Sequence, residues 1–392
     1  MAVPKLRFKA ADGSQFPDWE EKTIDEVAEC LDNKRVPVNA EERKKRVGVI
    51  PYYGAGGIQG YIDDYLFDEE LVLLLEDGDA FDDFQTKSIA QYVTGKSWVN
   101  NHAHVLRANG NSYFLFASLE HKDIRRWTQL AGASRKKLLK DSMLKIIVNM
   151  PSLPEQQKIA EFLSTIDTVI EKQKETVSVW EERKKGVMQK LFSQEVRFKA
   201  DDGSDFPEWE EKKLDEVMSV KDVKQIPTEE APLMAFIAYQ GVAEKGDRYD
   251  RSFLVKSDDK KYKRTDFNDF IYSSNNLDVG SIGLNKYGSA VISVVYEIFT
   301  FNDGFNPDCM NLLIQQPRIM SSIIRYRQGC LYGQYKIHSR DFLNVLISVP
   351  CHEEQQKIAD CLVSFDEVIE KQKATLAAWE ELKKGLLQQM FV

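Results

Sequence analysis

The sequence predicts an α/β protein: two globular mixed α/β lobes joined by two long antiparallel coiled-coil helices, the whole duplicated about a pseudo-two-fold axis. Three observations predict it. An opening segment returns: "LRFKAADGSQFPDWEEKTIDEV" (Leu6 to Val27) matches "VRFKADDGSDFPEWEEKKLDEV" (Val196 to Val217) at 16 of 22 positions. A closing segment returns too, Glu155 to Phe192 matching Glu354 to Phe391 at 23 of 38 positions. Between opening and closing lie two stretches without convincing similarity to each other. The offset is 190 in the first pair and 199 in the second, so nine extra residues fall in the second variable stretch. A period of this size marks a domain duplication, being too long for a solenoid unit. The expected boundaries are 1–153 for the first lobe, 154–193 for its helix, 194–352 for the second lobe and 353–392 for the second helix.

The helices carry the strongest periodicity. Ile159, Leu163, Ile166, Ile170, Gln173, Val177, Trp180, Lys184, Val187 and Leu191 follow one another at alternating steps of four and three, the seam of a coiled coil. The second copy gives Ile358, Leu362, Phe365, Ile369, Gln372, Leu376, Trp379, Lys383, Leu386 and Met390. Its polar interruptions fall at the same steps, and a polar seam residue fixes register at some loss of stability. Mutual pairing is therefore expected, through Ile159, Leu163, Ile166, Ile170, Val177 and Trp180 against Ile358, Leu362, Phe365, Ile369, Leu376 and Trp379. Pro151 and Pro154, and Pro350 in the second copy, stand where a helix start tolerates proline.

Within the lobes, "LVLLL" and "AQYVTG" read as strands of the first. "DFIYSS", "SAVISVVYEIF" and "MNLLI" read as strands of the second. "YYGAGGIQGY" reads as a glycine-rich loop. Each lobe closes on a matching strand, "LKIIVNMP" and "LNVLISVP".

The 392 residues suffice for two or three cores, and 43% hydrophobic with 11% aromatic content is that of a globular chain. The longest aliphatic run, Leu71 to Leu75, is far short of the roughly 20 residues of a membrane span. No apolar core follows the start "MAVPKLRFKAADG", so no secretion signal is expected. Five cysteines, an odd number with no CxxC pair, argue against a disulfide framework or zinc knuckle and fit a reduced cytoplasm.

The net charge of −9 is unevenly placed. Residues 28–150 balance 17 bases against 17 acids, and residues 218–349 carry 16 against 15, so the excess acid lies in the repeated segments. Inside the first variable stretch, Asp63 to Asp83 holds ten acids and no base, whereas Arg125 to Lys145 holds seven bases and one acid. Such sorting can produce a basic face on an acidic protein; a solvated mixed surface is the alternative.

Catalytic sets are missing. Gly54, Gly56, Gly57 and Gly60 lack the spacing of a dinucleotide loop, and no phosphate loop of the GxxxxGK[ST] form occurs. "FNPD" (Phe305 to Asp308) lacks the second proline and aromatic of an amino-methyltransferase motif, which makes Asn306 a turn residue. "HAH" places His102 and His104 on one strand face without a third metal ligand. What the variable stretches do offer is forked polar groups among aromatics and glycines. The candidates for base or phosphate contact in the first are Arg35, Lys44, Lys45, Tyr52, Tyr53, Lys96, Asn100, Asn101, His102, Arg125, Arg126 and Lys136. In the second they are Arg248, Ser273, Asn275, Asn276, Lys286, Arg327, Tyr332, Tyr335 and Lys336. Asn pairs bidentately with adenine and Arg or Lys with guanine in the major groove, while other cations meet phosphates.

"PSLPEQQKIAEFLSTIDTVIEKQKE" with "PCHEEQQKIADCLVSFDEVIEKQKA", and the duplicated "DG..FP.WEEK..DEV" openings, resemble the specificity subunits of type I restriction–modification systems. "IPYYGAGGIQGYIDDYLFDEELVLLLEDG" (Ile50 to Gly78) is similar to a target-recognition segment of that family. The resemblance covers the whole chain in organisation and is most specific in the two helices. It implies two target-recognition domains, each reading one half of a bipartite, asymmetric site in double-stranded DNA. It also implies spacer helices docking two DNA methyltransferase subunits, and recruited restriction motor-nuclease subunits. S-adenosylmethionine, ATP and Mg would then belong to partners, leaving this chain non-catalytic, without a membrane role. Two other classes remain open: a coiled-coil adaptor whose variable lobes bind proteins, and, less favoured, a self-contained methyltransferase.

Overall fold

The computed structural model describes residues 4–131, 135–244, 260–273, 277, 280–331 and 334–391. The chain forms two compact units, Met1–Val177 with Gln372–Val392, and Ser178–Lys371. This division runs through both long helices, Leu153–Phe192 and His352–Met390, so each unit owns part of each. No helix among the described residues is long and apolar enough to cross a membrane.

In the first unit the central antiparallel sheet has the order Ala28–Cys30, Ala103–Ala108, Leu71–Leu75, Ala90–Val93. Leu71–Leu75 is buried on both faces, which is why it reads as unbroken apolar sequence. Val72 and Leu74 face a core built with the helix Ser112–Leu119. Leu71 and Leu73 face another, with Phe67, Val99 and Val105. A second sheet carries Gly57–Ile62, Ile50–Gly54, Lys96–Val99 and Phe67–Asp68.

The second unit repeats the central sheet as Met218–Val220, Tyr296–Phe301, Phe270–Ser273, Ile282–Leu284. It also contains a short hairpin, Ala235–Ile237 with Gly241–Ala243. Two lobes without convincing sequence similarity thus share the topology of their central sheet.

Three sequence expectations change. "MNLLI" is not a strand: it lies in the helix Pro307–Ile314, started by Asn306, whose side chain accepts from the Cys309 N–H, and by proline at the first turn. Cys309, Met310, Leu313 and Ile314 are buried at helical spacing. "YYGAGGIQGY" is not a loop but most of the hairpin Ile50–Gly54/Gly57–Ile62, turning at Ala55 and Gly56. "SAVISVVYEIF" is two strands, Ala290–Ile292 and Tyr296–Phe301.

The duplicated EQQK signature is a clasp. Glu155 is fully buried and accepts from Arg7 Nε at 3.1 Å, Arg7 Nη2 at 2.8 Å and Trp19 Nε1 at 3.2 Å. Gln156 accepts from the Asn111 N–H at 3.2 Å and donates to the Pro151 carbonyl at 2.8 Å. Gln157 Oε1 accepts from Asn111 Nδ2 at 2.9 Å, and Lys158 donates to the Lys9 carbonyl at 2.8 Å. Glu354, Gln355, Gln356 and Lys357 repeat this with Arg197, Trp209, Asn306, Pro350 and Lys199. Every residue of the signature has one job, tying the helix start to the opening repeat and to the cap of the lobe's main helix.

The long helices pair antiparallel within each unit. In the first, Ile159, Leu163, Ile166 and Ile170 share a core with Leu387 and Met390, against which Leu376 and Trp379 pack. Gln173 Nε2 donates to Gln372 Oε1 at 2.7 Å and to its carbonyl at 2.9 Å. Val177 is buried as well. In the second unit Trp180 meets Phe365 edge-on at 5.9 Å, and Leu191 packs with Ile358 and Leu362. Ile369 is buried. The two seam lysines leave the seam pattern for acids: Lys184 to Asp366 at 2.6 Å, and Lys383 to Asp167 at 2.9 Å and Glu120 at 3.0 Å.

Candidate nucleic-acid interface

In the first unit the hairpin Ile50–Gly54/Gly57–Ile62, the helix Ala40–Lys45 and the turn after Lys96–Val99 carry exposed polar groups beside aromatics. Asn39 starts the helix by accepting from the Glu42 N–H at 2.9 Å. The helix bears Arg43, Lys44 and Lys45, with Arg43 over the Tyr52 ring at 4.7 Å. Arg46 lies over the Trp98 ring at 4.5 Å and pairs with Asp63 at 2.8 Å. Lys44 pairs with Glu41 at 2.7 Å, an exposed contact that a phosphate can replace. Lys45 is exposed and has no acidic partner among the described residues. Lys96 is exposed over the Tyr65 ring at 4.6 Å. Asn101 is exposed on the turn, and Tyr53 is half-buried on the hairpin.

Several expected contacts are instead structural. Tyr52 is 1% exposed and exchanges hydrogen bonds with the Val38 backbone, so it cannot reach a base. Asn100 is 4% exposed, with its side chain engaged by the His102 N–H and Gln59. Arg35 is committed to Glu76 at 2.6 Å, Asp32 at 3.2 Å and the Ala103 carbonyl at 2.8 Å. The two imidazoles do not share a strand face. His102 sits in the turn against Asp77 at 3.0 Å, and His104 is buried on Ala103–Ala108 against Asp32 at 2.6 Å. Burial alone would raise Asp32, but His104, the Val105 N–H and Arg35 outweigh it and hold the carboxyl below its ordinary range.

The sorted charges meet one another. Lys136 pairs with Asp82, Lys137 with Glu76 at 3.0 Å, and Arg125 with Asp123 at 2.7 Å. The acidic run thus supplies counter-ions to Lys136 and Lys137 of the basic one, and Arg125 is opposed by its own neighbour Asp123. Arg126 is exposed and stacks on Trp127 at 3.7 Å.

In the second unit the hairpin Ala235–Ile237/Gly241–Ala243 presents Tyr239, 86% exposed and at φ +62°. A non-glycine residue in that region is strained, a condition that clusters at functional sites. Its ring lies against Gly280, where a Cβ would come within 2.2 Å. Lys286 is half-exposed over the Phe267 ring at 5.2 Å, bonded to Asn268 at 2.8 Å and Asp308 at 2.7 Å. Lys336 is exposed on Gln334–Lys336, the strand that also carries Tyr335, and Arg327 is half-buried. Ser273 is 3% exposed, its N–H bonded to the Ser281 carbonyl, so its place is the sheet interior. Arg248, Asn275, Asn276 and Tyr332 lie outside the described residues. Asn306 caps a helix rather than making a turn. Sequence reading did not single out Gln59, Arg43 or Tyr239, which the fold sets on or beside the two hairpins; of these only Tyr239, an aromatic beside Gln240 and Gly241, carried a local signal.

Comparison with known proteins adds the family. The model of the type I restriction modification DNA specificity domain matches twice, over residues 17–177 and 207–378. A putative type I restriction enzyme specificity subunit of Haemophilus influenzae is 38% identical over 160 residues, 40% of this chain and 39% of that protein. Two specificity subunits of Methanocaldococcus jannaschii, one of them putative, are 24% and 23% identical over 97% of this chain and 94% of their own length. The crystal structure of a type I system S subunit from M. genitalium superposes with a TM-score of 0.62 at 14% identity, covering 100% of this chain and 99% of that one, which shows a shared fold. Matched twice over most of its length, the chain belongs to the type I restriction–modification DNA specificity family.

Proposed function

We propose that the chain contributes sequence reading, and no chemistry of its own, to a cytoplasmic type I restriction–modification assembly. Each lobe reads one half of a bipartite, asymmetric site in double-stranded DNA. The paired helices set the gap between the halves and dock two methyltransferase subunits, to which restriction motor subunits are recruited. S-adenosylmethionine, ATP and Mg are carried by those partners. The observation that supports this most is the repetition of one clasp, residue for residue, beneath two lobes whose exposed hairpins differ. A scaffold kept constant under variable surfaces suits reading two unlike sequences with a common partner set. Family membership favours this over a protein-binding adaptor.

The test is a genome-wide map of modified bases in a host with the methyltransferase partners, with and without this chain. The expected result is a motif of two unlike halves at one constant spacing, present only with the chain. An unchanged map refutes the proposal.

A further inference from the structure

The hairpin of the first unit contains an irregularity that its pairing does not need. Tyr52 faces Gly60 and Tyr53 faces Ile58, so Gln59 is the extra residue of a bulge. A bulge bends its strand and re-aims the side chain it carries. Gly57 and Gly60, at φ +114° and +149°, permit the bend. The Gln59 amide lies flat over Gly54, where a Cβ would fall 2.1 Å from Nε2, so residue 54 must be glycine for the amide to rest there.

Hydrogen bonds that begin at the main chain fix which way the amide faces. The His102 N–H can only donate, and it donates to Asn100 Oδ1 at 2.8 Å. That turns Asn100 Nδ2 toward Gln59, whose Oε1 accepts from it at 3.3 Å. Asn100 is itself immobilised, being buried with its own N–H bonded to the Tyr53 carbonyl at 3.0 Å. Gln59 is exposed. It therefore presents one spare lone pair on Oε1 and the Nε2 hydrogens, in a sense its support dictates. Arg43 Nε lies 3.9 Å from the Cβ position of Gly60, which puts the basic helix alongside to meet phosphates.

We infer that Gln59 reads an adenine in the half-site taken by the first unit, Oε1 accepting from N6 and Nε2 donating to N7, and that Asn100 is its positioning residue. The inference rests on the function proposed above and deepens it. It is tested with the full chain and its methyltransferase partners by mapping modified motifs for the wild type, Gln59→Ala, Gln59→Glu, Asn100→Ala and the Gln59→Ala/Asn100→Ala pair. Expected is a loss of discrimination by roughly 5- to 150-fold at one adenine of one half, with the other half intact. Gln59→Glu moves that position toward cytosine, since a carboxylate accepts from cytosine N4. Asn100→Ala relaxes the same position, and the pair is no worse than Gln59→Ala alone. A wild-type motif retained by Gln59→Ala overturns the inference and spares the function. So does a change at a base other than adenine, or an equal loss in both halves. A wild-type chain that yields no motif overturns both.

Discussion

Replacing Arg7 by Met is expected to destabilise the first unit by about 3–4 kcal/mol. Glu155 has no exposed side-chain surface, and three of its hydrogen bonds come from Arg7 and Trp19. With Arg7 gone, a buried carboxylate keeps only an indole N–H. Breaking a buried ion pair from one side costs about 3–5 kcal/mol, whereas an exposed pair is worth about 0–1. Arg7 is 15% exposed, so water can enter and the low end applies. At roughly 2–4 °C per kcal/mol for a unit of this size, the melting temperature falls by about 6–16 °C. Calorimetry reads this as a shift of one transition. Arg197→Met, whose partner Glu354 is equally buried, shifts the other by a similar amount. Adding Glu155→Leu to Arg7→Met removes the orphaned charge, leaving one unsatisfied indole N–H, so most of the loss returns. An Arg7→Met cost under about 1 kcal/mol, or a double variant weaker than the single one, would show that Glu155 is not held as a buried ion pair.

Other expectations use the same physics. The first unit should lose stability between about pH 10 and 12: burial and then Glu70 push Tyr92 up to about 12, and burial and then Asp167 push Tyr113 upward too. Folded-state values above the unfolded ones mean that their contribution is full below pH 10 and fades as pH rises. Urea midpoints at pH 8 and pH 11 should differ, less so in Tyr113→Phe; equal midpoints would contradict the assignment. Gln173→Leu should cost about 0.5–1.5 kcal/mol by removing the bond to the part-buried Gln372 amide, and adding Gln372→Leu should recover it. Additive losses in thermal melts would show the seam pair to be uncoupled. Lys44→Ala with Lys45→Ala should lower the salt slope of duplex binding by about 0.9 per residue without altering sequence preference. A changed preference would make them base readers.

What the sequence made legible is what repeats. The helices announce themselves because their seam obeys one period for ten positions, and even their interruptions agree, as the Gln173–Gln372 bond bears out. The topology common to the two central sheets was illegible because a sheet interior asks only for apolar residues of suitable size. Leu71–Leu75 and Phe270–Ser273 occupy the same strand of the plan with no residue type in common at aligned positions. Polar residues misled for a related reason. Residue type gives chemistry but not direction, so Asn100 and Tyr52 read as contacts although the fold turns both inward. Gln59 was invisible because its aim comes from a bulge, which depends on how two strands register and not on either alone.

The clasp explains how one chain can hold two lobes whose sequences differ. Its partners are a tryptophan, an arginine and a lysine carbonyl of the opening repeat, a proline carbonyl at the lobe's end and one asparagine cap. None of these lies on the exposed hairpins. The strand Glu20–Thr23, paired with Ile147–Met150, carries the constraint to the lobe's closing strand, and Glu210–Lys213 with Leu346–Val349 does the same in the second unit. A substitution at the hairpin tip therefore leaves the clasp's hydrogen bonds unstrained, while one in the clasp loosens a helix start whatever the hairpin reads. Under the proposed function, recognition and assembly are separable in this fold because they are built on opposite kinds of residue: exposed side chains on bulges and turns for one, buried hydrogen-bonded polar groups for the other.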